Sequence, residues 1–186
     1  MTTNTLTAPA ALTYDETVAH FSNLIMRASV RDIELASRWY HEAFMVAMEV
    51  ADNMSIPLEN AAAIVSAFSP RQRWDINVRQ ALAFSRGEDV KGLTNNLTMA
   101  ANAVEFGFDA LNGQKTNAFA RAIAGDDDAV VIDVWMMRAA MMPTDSPNKT
   151  QYAFVSDAVR DAAALFGMTP RTAQALIWII VRGGAA

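Results

Sequence analysis

Glycine and proline divide this chain into segments of helical length. The chain has only 8 Gly and 6 Pro residues, and most of them fall where one segment with helical apolar spacing ends and the next begins. Pro70 and Pro170 stand at segment starts, whereas Gly87 and Gly107 follow segment ends. Proline in a first turn and glycine just beyond a last turn are typical of helix boundaries. The pattern predicts an all-α fold, a compact bundle of about eight or nine helices.

The same pattern predicts one domain. Only the run 129–132 resembles a strand, and it is too short to pair into a sheet. Residues 1–12 are small and polar and predict a flexible N-terminal tail, so that residues 13–186 form a single helical domain. With 186 residues, 52% of them hydrophobic, the chain is long enough to bury one sizeable core.

Composition excludes several classes of site. The absence of cysteine removes disulfides, thiolate zinc sites, iron–sulfur clusters and thiol nucleophiles, and two histidines are too few for a His-based metal site. We therefore predict neither a metal nor an organic cofactor. No apolar run reaches the roughly 18 residues of a membrane span, and no signal-peptide pattern is present, so we expect a cytoplasmic protein without membrane contact. A net charge of −5 argues against a general polyanion binder.

The segment 111–138 is the first candidate for chemistry. A turn at Gly113 leads into a helix that carries Lys115, and a later apolar run delivers Asp133 between Ile132 and Val134. Asp133 has two interpretations: an N-cap of the following helix, which composition alone favours, or a carboxylate in the apolar wall of a cleft. Lys115 is either an ordinary residue at a helix start or a functional amine, and positive charge at a helix N-terminus is mildly unfavourable.

The segment Ser69–Trp74 is the second candidate. It contains two arginines, a glutamine and a tryptophan within four residues. One interpretation is an N-cap at Ser69 with Pro70 in the first helical turn, and the other is a binding site for a ligand that combines an anion with an aromatic ring. The sequence supports both equally. Trp39, on a long helix, is predicted instead to be a packing residue, and Trp178, among isoleucines and valine, is predicted to lie in the core.

The stretch LNGQKTNAFARAIAGDDDAVVIDVWMMRAA resembles the helix-hairpin-helix (HhH-GPD) DNA glycosylase superfamily, in particular its endonuclease III-like core. SAFSPRQRWDINVRQALAF and QALIWIIVRG resemble two further parts of that family in the same order, so the resemblance extends from Pro57 to Gly183. The chain is also similar to small cysteine-free bacteriophage proteins, some of which are associated with modified-base metabolism.

The resemblance implies roles for particular residues. Lys115 matches the family's Schiff-base lysine and Asp133 its catalytic aspartate, 18 positions apart. The family pattern also places a set of polar and aromatic side chains near the substrate: Arg71, Gln72, Arg73, Trp74, Asn77 and Trp135. Asn112, Gly113 and Gln114 correspond to the hairpin that contacts a DNA phosphate in the family.

The function that we expect is cleavage of the N-glycosidic bond of a damaged or modified base in DNA, with lyase activity through a lysine Schiff base. One alternative is a phage-type enzyme that acts on a modified nucleotide or a hypermodified base, favoured by the acidic composition and by a hairpin with one glycine instead of two. Another is a non-catalytic protein that binds nucleotides or DNA on the same fold. The expected partner is thus DNA or a modified nucleotide, and a homo-oligomer through the helix around Trp39–Met54 is compatible with all three.

Overall fold

The computed structural model describes residues 12–184, and it confirms the prediction of an all-α protein. Nine α-helices and one short 3-10 helix account for the regular structure of these residues, and they contain no strand. The predicted tail, residues 1–12, lies outside the described residues except for Leu12. The helices are Tyr14–Met26 (α1), Val30–Met54 (α2), Leu58–Ala67 (α3), Trp74–Ser85 (α4), Thr94–Phe106 (α5), Gln114–Ala124 (α6), Val134–Ala139 (α7), Lys149–Leu165 (α8) and Pro170–Arg182 (α9).

Most helix ends follow the local signals in the sequence. Thr169 caps α9, with Pro170 in its first turn, and its hydroxyl accepts a hydrogen bond from the backbone N–H of Thr172. Gly125 ends α6 with a φ of 105°, a left-handed conformation that is unfavourable for residues with a Cβ atom. These caps satisfy backbone groups that have no partner inside a helix.

Helix α3 lies at the centre of the core. Residues 61–67 are fully buried, and four of these seven are alanine. Small side chains allow α5 and α6 to pack closely on it. A helix that is apolar on all sides is buried by its neighbours, and α3 is therefore the support for the helices that carry the candidate site.

Two groups of helices pack on the long helix α2. The helices α3–α6 form one group, and α1 together with α7–α9 forms the other. Helix α2 contacts α3, α4 and α6 of the first group and α9 of the second. Side chains from both groups can therefore meet along α2, and the candidate site lies there.

The apolar run before Asp133 forms a buried extended segment instead of a strand. Tyr152 of α8 holds it at two points: its hydroxyl donates to the carbonyl oxygen of Val130 at 2.8 Å and accepts from the backbone N–H of Ile132 at 3.3 Å. This contact fixes the backbone that leads into α7, and thus the position of Asp133. Burial raises the pKa of the Tyr152 hydroxyl to about 12, so the hydroxyl keeps the proton that it donates.

Candidate functional site

A cleft of about 570 Å³ opens along α2 between the two groups of helices. Residues from α2, the turn before α4, α4, α6, the start of α7 and α9 line it. The cleft brings together the two predicted catalytic residues and the six predicted substrate-binding residues: Lys115, Asp133, Arg71, Gln72, Arg73, Trp74, Asn77 and Trp135. Since these residues are up to 64 positions apart in the sequence, the fold alone places them in one cavity.

Asp133 is the N-cap of α7, so the capping interpretation is confirmed. Its Oδ1 atom accepts hydrogen bonds from the backbone N–H groups of Trp135 at 2.9 Å and Met136 at 3.0 Å. Its Oδ2 atom accepts a third hydrogen bond, from the indole N–H of Trp178 at 3.0 Å. Three donors fix the orientation of this half-buried carboxylate, and one lone pair of Oδ2 remains for a group in the cleft.

Lys115 lies in the first turn of α6 and is half-buried. The start of this helix is tied to the core because the Ser66 hydroxyl donates to the Thr116 carbonyl oxygen at 2.7 Å. Within residues 12–184, Lys115 forms no ion pair and no side-chain hydrogen bond. Its ammonium group is thus available to a ligand, and the carboxylate of Asp133 lines the same cavity.

All four tryptophans of the chain line this cleft. Trp39 stands between two others, with its ring centroid 5.2 Å from that of Trp74 and 5.2 Å from that of Trp178. Trp74 also contacts Phe119, with centroids 6.3 Å apart. Trp39 thus packs against its neighbours as predicted, whereas the prediction that Trp178 is a core residue is wrong in one respect, since it is half-buried and lines the cleft.

Arginines cover two of these indoles. The guanidinium carbon of Arg182 lies 4.6 Å from the ring centroid of Trp178, and that of Arg138 lies 5.1 Å from that of Trp135. Arg138 is also paired with Asp145 at 2.8 Å. Trp135 thus has one face occupied within the protein, and this limits its use for stacking to the other face.

The charge in the cleft is positive although the whole chain is acidic. The lining contains the cations Arg71, Arg73, Lys115 and Arg182 and a single carboxylate, Asp133. Of the arginines, Arg73 has an exposed carboxylate partner, Asp75, at 3.2 Å. An excess of cations in a cavity with apolar walls concentrates anionic ligands.

The segment before α4 is a turn, so the interpretation of Ser69 as an N-cap with Pro70 in the first helical turn is wrong. The backbone N–H of Gln72 donates to the carbonyl oxygen of Ser69 at 3.3 Å, and α4 begins only at Trp74. Arg71, the third residue of this turn, has a φ of 60°. Proline at the second position and a positive φ at the third are typical of a type II turn, where glycine or asparagine is the usual third residue. Arg71 therefore holds an unfavourable backbone conformation at the cleft.

Polar side chains from four residues also line the cleft. The buried hydroxyl of Tyr40 donates to Oε1 of Gln174 at 2.7 Å, and burial raises the pKa of Tyr40, so this proton is retained. The donation fixes the orientation of the Gln174 amide. Asn77, only 2% exposed, and Ser69 line the same cleft. Periodicity alone does not identify Tyr40, Gln174 or Arg182 as site residues, because such side chains also occur at ordinary helix boundaries.

The predicted hairpin residues lie apart from this cleft. Asn112, Gly113 and Gln114 are exposed and line a second cavity, also of about 570 Å³, with Arg121 and Arg160 and with the carboxylates Asp126 and Asp128. The fold thus does not bring them into the cavity that holds Lys115 and Asp133.

Among the described residues, no group of three or more histidine, aspartate or glutamate side chains lies close enough to hold a metal ion. No single helix in this part of the chain has both the length and the apolar composition needed to cross a membrane.

One protein family, described as a family of unknown function (DUF7178), matches residues 3–185, which is nearly the whole chain. No curated protein and no solved structure matches the chain.

Proposed function

This chain belongs to the family DUF7178, and we propose that it cleaves the N-glycosidic bond of a damaged or modified base in DNA, with Lys115 as nucleophile. One observation carries the proposal: an unpaired lysine and an oriented aspartate line the same tryptophan-walled, cationic cleft. The resemblance of the surrounding sequence to DNA glycosylases supports the same chemistry. We place this activity in the cytoplasm, which for a phage-encoded protein is that of the host.

The cleft suits a nucleotide in size and in chemistry. Ligand cavities commonly measure about 300–1,000 Å³, and a cavity of about 570 Å³ is within that range. Stacking on aromatic side chains contributes about 1–3 kcal/mol per base, which offsets part of the few kcal/mol that flipping a base out of a duplex costs. Arg71 and Arg182 supply positive charge for the phosphate that accompanies the base.

Lys115 would form the covalent intermediate. The Lys115 ammonium first gives one proton to solvent. The amine lone pair then forms a C–N bond to C1′ of the sugar, and the bond between C1′ and the base breaks, with its electron pair leaving on the base. Loss of the amine proton and opening of the C1′–O4′ bond, with a proton taken up by O4′, then give a protonated imine between Lys115 and the sugar. This imine permits cleavage of the strand by β-elimination.

Asp133 would act on the same centre in two ways. Its free lone pair accepts the proton that the amine must lose, and its negative charge stabilises the positive charge that develops on the sugar as the base departs. Because three hydrogen bonds already hold the carboxylate, little reorganisation is needed during the reaction. Preorganised charge of this kind is a major source of rate enhancement in enzymes.

Borohydride trapping tests the proposal directly, because the chain has only three lysines: Lys91, Lys115 and Lys149. The protein is incubated with duplexes that carry an abasic site or damaged and modified bases, and the imine is reduced to a stable adduct. We expect the adduct to map to Lys115 and to be absent from the variant Lys115→Arg, which keeps the charge but cannot form the imine. The matched control is Lys149→Arg, at an exposed lysine outside the cleft.

No adduct on any duplex, or an adduct that persists in Lys115→Arg, would contradict the proposal. Asp133→Asn provides a second comparison, since it should retain DNA binding and lose turnover. If both Lys115→Arg and Asp133→Asn leave turnover unchanged, these two residues do not have the roles assigned to them.

A second candidate is an enzyme that acts on a modified nucleotide outside DNA. The observation that favours it is the position of the predicted hairpin, whose residues line a separate cavity with Asp126 and Asp128. Carboxylates near a DNA backbone weaken binding, because affinity for DNA depends strongly on the neutralisation of phosphates. Weak DNA binding that is insensitive to salt, together with tight binding of a nucleotide, would favour this candidate over the first.

A further inference from the structure

We infer that Ser69 and Asn77 form a hydrogen-bonding subsite that selects bases carrying an N–H donor on their pairing edge. The inference rests on the proposed function, because it takes the ligand of the cleft to be a nucleobase. It adds to that function a basis for substrate choice, which Lys115 and Asp133 do not supply since both act at the sugar.

Two unpaired polar atoms support the subsite. In the described part of the chain, three buried side-chain atoms have no hydrogen-bond partner: Ser69 Oγ, Asn77 Oδ1 and Gln80 Oε1. Two of the three belong to residues that line the cleft. Buried polar atoms are paired in most proteins, and an exception commonly marks a functional position or a bound group.

The neighbouring polar side chains do have partners. The equally buried Asn96 donates to the carbonyl oxygen of Pro70 at 3.3 Å and so holds the turn that carries Ser69. Gln174 accepts from Tyr40 at 2.7 Å. The third unpaired atom, Gln80 Oε1, lies outside the cleft, and Nε2 of the same side chain donates to the Lys91 carbonyl oxygen. The surroundings are therefore ordered, and the missing partners are concentrated at the cleft.

The chemistry of the two atoms defines what they bind. An amide oxygen only accepts hydrogen bonds, and a serine hydroxyl both accepts and donates. Rotation about the Cβ–Cγ bond of Asn77 is broad in energy, so its amide can turn toward a group in the cleft. A base held by the tryptophan rings would present its edge to Ser69 and Asn77, where an amino or imino N–H satisfies an atom that is otherwise buried without a partner.

Matched nucleotides test this selection. Two pairs are used as 2′-deoxynucleoside 5′-monophosphates: cytosine against 2-pyrimidinone, which lacks the amino group, and thymine against 3-methylthymine, which lacks the imino N–H. Binding is followed by nitrogen-15 NMR of the four indole N–H groups, all of which belong to the cleft. We expect the wild-type protein to prefer the N–H-bearing member of at least one pair by about tenfold or more, and the variant Asn77→Leu to bind both members equally.

Asn77→Leu is expected to fold, because Oδ1 has no hydrogen bond to lose. Should it fail to fold, Ser69→Ala provides the same comparison and is expected to reduce the preference at least threefold. Asn102→Leu, at an exposed asparagine of α5, is the control and should keep the wild-type preference. A wild-type preference below twofold in both pairs, or one that survives Asn77→Leu unchanged, would overturn the subsite.

The outcomes separate the subsite from the proposed chemistry. A preference that depends on Asn77, in a protein that forms no adduct at Lys115, would support the subsite and remove the covalent mechanism. An adduct at Lys115, with a nucleotide preference that does not depend on Asn77, would support the covalent mechanism and remove the subsite. If none of the nucleotides shifts an indole signal and no adduct forms, both conclusions are overturned.

Discussion

Replacing Asp133 by asparagine is expected to lower the free energy of unfolding by about 2 kcal/mol, although asparagine is as good an N-cap as aspartate. Asparagine keeps one oxygen for the backbone N–H groups of Trp135 and Met136. Its amide nitrogen then takes the place of Oδ2, which accepts from the indole N–H of Trp178 at 3.0 Å. Two donors would face each other at that distance, so the contact is lost.

The size of the effect follows from the contacts that change. A hydrogen bond to a charged group contributes about 1.5–3 kcal/mol, whereas the cap, worth about 1 kcal/mol, is retained. For a chain of 186 residues, each kcal/mol shifts the melting temperature by about 2–4 °C, so we expect a decrease of about 4–8 °C. Asp133→Ala loses the cap as well and should cost about 3 kcal/mol.

A double-mutant cycle isolates the contact between Asp133 and Trp178. Urea unfolding is measured for wild type, Asp133→Asn, Trp178→Phe and the double variant. Phenylalanine removes the indole donor, so Asp133→Asn should cost less than about 1 kcal/mol in that background, a coupling of about 1–2 kcal/mol. Asn148→Asp, at an exposed cap of α8, is the control and should change stability by less than about 0.5 kcal/mol. Equal costs of Asp133→Asn in both backgrounds would refute the reasoning.

Further changes test other parts of the structure. Tyr152→Phe should cost about 2–3 kcal/mol in urea unfolding, because the buried carbonyl of Val130 loses its donor; a cost below about 0.5 kcal/mol would contradict this. The folded-state pKa of Tyr152 is raised from 10.0 to about 12. The protonated hydroxyl therefore makes its full contribution to the free energy of unfolding below pH 10, and this contribution is lost as the pH rises toward 12. Between pH 10 and pH 12, the free energy of unfolding should therefore decrease less in Tyr152→Phe than in wild type, by a difference of about 2–3 kcal/mol. Arg71→Gly relieves a positive φ of 60° and should leave stability within about 1 kcal/mol of wild type, while nucleotide binding in an NMR titration weakens; a loss above about 2 kcal/mol would contradict the turn geometry. Gly107→Ala should cost about 1–2 kcal/mol in thermal unfolding, because Gly107 has a φ of 53° and its Cβ would lie 3.1 Å from Asn60 Oδ1; an unchanged melting temperature would contradict this.

The helices were predictable because their boundaries are encoded locally. Caps such as Thr169, with Pro170 in the first helical turn, act within four residues, and a single sequence contains all of that information. The start of α4 was not predictable in the same way, because Ser69-Pro70 suits both an N-cap with proline in the first turn and the start of a type II turn. The hydrogen bond from Asn96 to the carbonyl oxygen of Pro70 stabilises the turn, and its two partners are 26 positions apart.

The candidate site was predictable where short motifs carry its residues, and not where it depends on packing. Lys115 and Asp133 stand in one stretch, where a glycine turn precedes the lysine and an apolar run delivers the aspartate, and the fold places both in the same cleft. Trp178 gave no such signal, since an aromatic residue among isoleucines looks the same in the wall of a cleft as in a core. Only its indole hydrogen bond to Asp133 distinguishes the two positions.

The two interpretations of Asp133 prove compatible, because they concern different oxygens of one carboxylate. Oδ1 is committed to the start of α7 by two backbone hydrogen bonds, and Oδ2 is oriented by Trp178. A carboxylate that only capped a helix would not need the indole, and a carboxylate that only faced a cleft would be free to rotate. The cap therefore supplies the rigidity that a chemical role requires, and the proposed reaction predicts that Trp178→Phe lowers turnover more than DNA binding.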